Sequence, residues 1–364
     1  MQNANNAIQD NTRLSVVVRF HKEERLPFLE EAVFSLAIQD WDDIEVIVVL
    51  QNGTNELQRV VESLIHQQPW PNSPQYKIVI VPIAEGVDGR STLLNHGIKH
   101  ATGRFLAFLD DDDYVYHHGY VTLIRQLLNG ESVIALGGCR RALMQPNDDH
   151  WFIQTKDQFF AWGRTRLDLF RENFIPIHSY VIDRSRLGDF KLYFDDDLPP
   201  LEDYDFLLRL CSKFEPDFAQ FETPVCEYRI RLDGSNSLAY VPDAPPHIIA
   251  AQKRAQRLIR ERKESLIGNM PAADLVKLKE GLLESIGERH ADNGNQTRDV
   301  QEINDGTTAY QPEPDNRVLL KITQDIYLFF SRHPDWERRL SNTLHTGWKA
   351  YKKLRRRESE SLSR

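Results

Sequence analysis

RFLAFLDDDDYVYHHGY, residues 104–120, runs from an apolar, strand-like stretch straight into four consecutive carboxylates, Asp110 to Asp113. Four adjacent negative charges repel one another, and none of them buries itself cheaply. An acidic loop at a strand end is often simply solvated. The alternative is a divalent cation held by the same oxygens, whose charge would offset the repulsion. What the rest of the chain sets beside this turn decides between the two.

Upstream of the turn, β-branched apolar runs recur at SVVVRF (15–20), IEVIVVL (44–50) and YKIVIVP (76–82), and RFLAFL (104–109) is the fourth. Such near-continuous hydrophobicity suits strands buried on both faces of a parallel sheet. Between them, Leu26, Leu29, Val33, Leu36 and Ala37 recur at helical spacing in 26–38, and 55–67 and 90–100 follow the same rule. Alternating strands and helices predict an α/β layered domain, with ligands beyond the carboxyl ends of the strands. The acidic turn falls there.

From 132 to 240 the pattern is mixed, with short strands expected at 132–137, 151–155, 178–183 and 221–231 and a helix from Glu202. Five segments are therefore expected. They are a disordered N-terminus (1–13), an α/β domain (14–240), a helical extension (241–290), a flexible Gly/Pro/Asn-rich linker (291–316) and a basic amphipathic helical tail (317–364).

The chain has 364 residues, 41% hydrophobic and 27% charged, with a formal charge of −9. That balance argues against a nucleic-acid partner. No apolar run approaches the ~20 residues that span a bilayer. MQNANNAIQDNTR at the start lacks an apolar signal core, so a cytoplasmic protein is expected. Cys139, Cys211 and Cys226 have no CxxC spacing and read as ordinary reduced thiols.

Three clusters carry chemistry. Asp110 and Asp112 stand two apart just past a strand, where an extended chain turns both to one side. Their hard oxygens suit Mn2+ or Mg2+. In LPPLEDYDFLLRL (198–210), Glu202, Asp203 and Asp205 crowd the first turn of an amphipathic helix. Acids there complement the helix dipole by ~0.3–1 kcal/mol each, or one of them faces the cleft as a general base. In CEYRIRLDGSNS (226–237), Arg229 and Arg231 lie two apart on a strand entering a Gly/Ser-rich loop that can close over phosphates.

Taken together, the clusters resemble an inverting family 2 glycosyltransferase with the GT-A fold across residues 14–240. SVVVRFHKEERLPFLEEAVFSLAIQDWDDIEVIVVLQNGT parallels the family's opening strand–helix–strand. GRSTLLNHGIKHATGRFLAFLDDDD parallels the helix and strand that deliver its DxD motif, LEDYDFLLRL its "ED" motif and YRIRLDGSNS its closing loop. The resemblance implies a mostly parallel central sheet with flanking helices and a helical C-terminal extension. It implies a nucleoside-diphosphate sugar as donor and a glycan or lipid-linked acceptor, as in cell-surface polysaccharide or glycolipid assembly.

By that resemblance, Asp110 and Asp112 are the metal pair, with Asp110 and Asp111 on the donor, and Asp203 is the general base. Phe20, His21 and Glu24 flank the nucleotide base. Gln51, Arg90, Arg229 and Arg231 are donor-side, and His178 and Glu202 acceptor-side. Two departures stand out. The stretch Leu50-Gln51-Asn52-Gly53 replaces the family's aspartate pair, leaving the nucleotide open, and Leu94 stands where the "ARNxG" arginine would be, with Arg90 one turn earlier as its substitute. A nucleotidyltransferase on a similar sheet, or a binding-only relative, is the alternative. The former favours a glycine-rich phosphate loop, and RFHKEERLPF has no glycine.

The tail adds a further expectation. Trp336, Leu340, Leu344, Trp348 and Tyr351 form one helical stripe, and residues 336–364 hold nine Lys or Arg against three Glu. Such a helix either lies on an anionic membrane, here the inner face of the plasma membrane, or docks on the catalytic domain.

Overall fold

In the computed structural model, residues 12–147, 150–159, 165–198, 200–233 and 246–268 are described. The chain divides into two compact units, Met1–Leu266 and Ile267–Arg364, and the sheet with the helices packed on it belongs to the first. The linker and tail expected at 291–364 lie outside the described residues.

The four apolar runs become β1 (Leu14–Phe20), β2 (Ile44–Gln51), β3 (Gln75–Val81) and β4 (Phe105–Asp110), all mutually parallel in the order β3-β2-β1-β4. Their register aligns Val17 with Ile47 and Phe108, and Arg19 with Asp110. Alternate residues point to opposite faces. Val16, Val18, Phe20, Val46 and Val48 enter one core cluster, and Val17, Ile47, Val49 and Phe108 enter the other. That two-sided burial explains why these strands read as unbroken hydrophobic runs.

Helices cover both faces. On the first lie α1 (Leu26–Ala37), α2 (Asn55–Gln67) and α4 (Gly119–Asn129), contributing Leu29, Val33, Val61 and Leu123. On the second lie α3 (Arg90–His100) and, later in the chain, α6 (Glu202–Lys213), contributing Leu93, Leu94, Phe206 and Leu210. Thr54 caps α2 by accepting the Leu57 amide at 3.1 Å. Gly97 lets α3 close on β1, where a Cβ would meet Val17 Cγ1 at 2.1 Å.

Beyond β4 the sheet continues as β8 (Tyr180–Asp183), β6 (Ile134–Asn147), β9 (Asp217–Arg231) and the short β5 (Tyr114–Val115). β8 runs antiparallel to both β4 and β6, while β6 and β9 are parallel. Strand β6 extends well past the expected 132–137, because β7 (His150–Phe159) pairs with it as a hairpin bulged at Leu143/Met144. Two further helices are the short α5 (Arg166–Arg171) and the longer α7 (Pro246–Gly268), which falls within the expected helical extension. Arg262 of α7 donates to Asp205 and Asp195, at 2.7 and 2.6 Å. No helix among the described residues is long and apolar enough to cross a membrane.

Candidate active site

Strand β4 ends at Asp110, and a turn follows in which the Asp113 amide donates to the Asp110 carbonyl at 3.2 Å. The turn sorts the four carboxylates. Asp110 and Asp112 keep 21% and 17% of their side-chain surface exposed, while Asp111 and Asp113 are buried. Asp110 and Asp112 are thus the partly exposed members of a turn, where extended chain was expected.

Each carboxylate of the turn faces a cation. Arg19, at the end of β1, donates to Asp110 Oδ2 at 2.9 Å and to Glu202 Oε1 at 2.6 Å. Arg25 forks onto Asp111 at 2.6 and 2.7 Å and reaches Asp112 Oδ2 at 2.9 Å. Arg231 pairs with Asp112, and the His178 ring stands 3.1 Å from Asp113. Burial, with the charges of Asp112 and Asp110, outweighs Arg25 and pushes the Asp111 carboxyl up to about 6. Asp110 Oδ1 is buried and makes no hydrogen bond, although Arg19 Nε lies 2.6 Å away. Asp110 and Asp112, partly exposed at the cleft, offer the hard carboxylate oxygens that suit a divalent cation.

Helix α6 brings Asp203 to the same place. Leu201, at the helix N-cap, has φ of +81°, a left-handed conformation uncommon for a branched residue. Glu202 is buried and faces Arg19 on one oxygen and Arg90 at 3.9 Å on the other. Asp203 differs. Among the described residues, no arginine, lysine or histidine lies within ion-pair distance of it, and its Oδ1 accepts the Tyr204 amide at 2.7 Å. Burial and the Glu202 charge push it up to about 6. The Tyr228 phenol feels Asp113, Asp110, Asp112 and Asp203 together, and burial with those four charges holds its pKa above the ordinary value. The acidic turn and Asp203 thus converge on one cleft at the strand ends.

The structure places five of the sequence candidates away from open solvent. Phe20, expected to flank a base, is buried in the core beneath α1, because the strand's alternation turns its side chain there. Asp111 is buried and accepts a fork from Arg25. The Arg229 guanidinium is engaged by Glu31 and Glu227 and lies over the Tyr114 ring, so Arg229 meets the acidic turn through its amide, on Asp113, whereas Arg231 meets it through its side chain, on Asp112. Glu202 is buried against Arg19 and, at longer range, Arg90. His178 is 1% exposed, under the turn rather than at the cleft.

The other candidates are at the rim. His21 and Glu24 are exposed at the end of β1, and partial burial together with Arg25, Lys22 and Arg19 drives His21 down to about 4. The Gln51 side chain lies beside Gly89, and Arg90 pairs with Asp88. Sequence reasoning missed Arg19 and Arg25. A lone arginine inside the apolar VVVRF run was the available signal, since charges are rarely buried without a partner.

A family model described as Glycosyl transferase family 2 matches residues 15–194. Over those residues the chain belongs to glycosyl transferase family 2. This family 2 chain is 30% identical over 130 residues to the GalNAc(5)-diNAcBac-PP-undecaprenol beta-1,3-glucosyltransferase of Campylobacter jejuni, covering 35% of the chain and 38% of that relative's length. It is 26% identical over 258 residues to an uncharacterized glycosyltransferase, EpsJ, of Bacillus subtilis, covering 68% of each. Among solved structures, S. aureus TarS in complex with UDP-GlcNAc superposes with a TM-score of 0.49 at 19% identity, over 70% of each chain.

Proposed function

We propose that this family 2 chain is an inverting glycosyltransferase, moving a sugar from a nucleoside-diphosphate donor to an acceptor hydroxyl with Asp203 as the general base. One observation carries the reading. Asp110, Asp112 and Asp203 converge at the carboxyl ends of the strands, and of these three only Asp203 lacks a salt-bridge partner among the described residues. A carboxylate raised to about 6 by burial still ionises at neutral pH, and is more basic than an ordinary aspartate.

Asp203 takes the acceptor proton as the hydroxyl attacks the anomeric carbon from the face opposite the diphosphate. Arg19 bridges Asp110 and Glu202, which keeps the base helix at a set distance from the donor site. Arg231, now on Asp112, is placed to fork onto diphosphate oxygens. Asp110 and Asp112 would hold Mn2+ or Mg2+, whose charge supplies stabilisation to the leaving diphosphate. One catalytic carboxylate then suffices, unlike the flanking pair of glycoside hydrolases.

The Campylobacter jejuni relative is named for a PP-undecaprenol-linked glycan. We extend that acceptor class, a lipid-linked glycan, to this chain, and with it a peripheral seat on the inner face of the plasma membrane. The basic, aromatic-striped sequence 336–364 supports it, since each Lys or Arg near an anionic leaflet contributes about 1 kcal/mol.

Purified full-length protein with Mn2+ and a panel of nucleotide sugars tests the catalytic reading. Release of the nucleoside diphosphate is expected for one donor, with inverted product when an acceptor is supplied. Binding without turnover for any donor would return the binding-only alternative. Flotation with anionic vesicles at low salt tests the tail: the full chain should float and a chain ending at Asn316 should not.

A further inference from the structure

His178 belongs to a buried cluster, itself 1% exposed, which the glycosyl-transfer reading does not use. Cys139 on β6 and Cys226 on β9 are register partners across parallel strands, and His178 sits on the turn that enters β8. All three are buried, at 2%, 0% and 1% exposure. The Cys139 and Cys226 sulfurs and a His178 ring nitrogen lie within 4.8 Å of one another, with Cys139 Sγ 3.8 Å from Nε2. With metal–sulfur bonds of about 2.3 Å and metal–nitrogen bonds of about 2.0–2.1 Å, neighbouring donors around one ion stand about 3.6–3.8 Å apart.

The other ring nitrogen adds an independent observation. Nδ1 faces Asp113 Oδ2 at 3.1 Å, while Asp113 Oδ1 accepts the Arg229 amide at 2.8 Å. A carboxylate behind a histidine, with sulfurs in front of it, is the arrangement that orients imidazole ligands in metal sites. Tyr228 stacks on the ring, with centroids 6.2 Å apart and planes at 13°. Cys211, the remaining cysteine, lies apart in the core on the opposite face of the sheet.

We propose that Cys139, Cys226 and His178 form a buried site for a thiophilic metal ion, Zn2+ or Cu+, with Asp113 holding the imidazole. Two thiolates and a neutral imidazole select soft or borderline ions over the Mn2+ and Mg2+ suited to Asp110 and Asp112. On binding, the thiol protons and the Nε2 proton leave to solvent and three coordinate bonds form. Because Asp113 closes the acidic turn, the ion would brace the donor site from beneath without touching it.

The test uses the full-length protein, stripped with chelator under reducing conditions and then given Zn2+ or Cu+ in separate arms. Slow alkylation in mild urea, read by mass spectrometry, should show Cys139 and Cys226 protected at least tenfold by one ion, with Cys211 alkylated at its metal-free rate. The arm that protects names the metal. Equal rates with both ions and without them overturn the proposal, as does equal protection of all three cysteines, which would report general stabilisation. Co2+ gives a second readout: a thiolate-to-cobalt charge-transfer band in the native protein that disappears in Cys226→Ala and persists in Cys211→Ala. Absence of the band in the native protein, or its survival in Cys226→Ala, rejects the site.

Discussion

Arg19 donates to Glu202 at 2.6 Å across 183 positions of sequence, tying the central strand to the helix that carries Asp203. The pair is well sequestered, with side-chain exposures of 14% and 3%. Removing one partner of a buried pair leaves the other charged and unsolvated, at a cost of about 3–5 kcal/mol. Because Arg90 stands 3.9 Å from the same carboxylate, Arg19→Ala should lie at the low end, about 3 kcal/mol by urea denaturation. Adding Glu202→Gln should recover part of that loss. No recovery would mean the ion pair does not set the stability.

Asp203→Asn separates catalysis from stability. Turnover should fall by about 10²–10⁴-fold with donor affinity retained. The native kcat/KM should decline tenfold per pH unit below about 6, because the base must be ionised and burial with Glu202 has raised it to about 6. The fold responds in the opposite sense. An acid raised above its unfolded value of about 3.9 contributes stability below that value and loses it as pH rises through its folded pKa. Above pH 6 the Asn variant should therefore melt higher than the native protein. Near-normal turnover in the variant would remove Asp203 from the base role.

Asp112→Asn should abolish the Mn2+-dependent part of donor binding, read as the Mn2+-induced gain in donor thermal shift. Excess EDTA should stop turnover of the native protein. Full activity in EDTA would leave the acidic turn as an arginine-binding device only.

Gly97→Ala tests the fold itself. Alanine favours an exposed helix interior by about 1 kcal/mol, but here its Cβ would meet Val17 Cγ1 at 2.1 Å. The clash should win, with a net loss of about 1–3 kcal/mol in denaturant midpoint analysis. A stabilised variant would show that α3 is free to move off β1.

The parallel half of the sheet was legible because burial on both faces writes itself as continuous apolar runs, and helices at 55–67 and 90–100 fall as their spacing implies. The later strands were not. β6 and β9 are long and bent, and their ends are set by cross-strand partners far away in sequence. Helix α4 lies behind the acidic turn in HHGYVTLIRQLLN, where the neighbouring carboxylates dominate the pattern. Within the site, acids were visible as clusters, whereas their arginines were scattered over positions 19, 25, 90 and 231. Which carboxylates are neutralised is a matter of tertiary pairing. That pairing separates Asp203 from Glu202, adjacent in sequence but only the latter held by arginines.

Four aspartates in a row suggest a site that repels anions, yet Arg19, Arg25, Arg231 and His178 stand against them one after another. At distances beyond a Debye length of about 8 Å, acids and cations blur into a region with little charge of its own. A diphosphate diffusing toward the strand ends then meets no long-range barrier there, even on a chain of net charge −9. Donor association should accordingly depend only weakly on ionic strength, with selectivity decided after encounter rather than during approach.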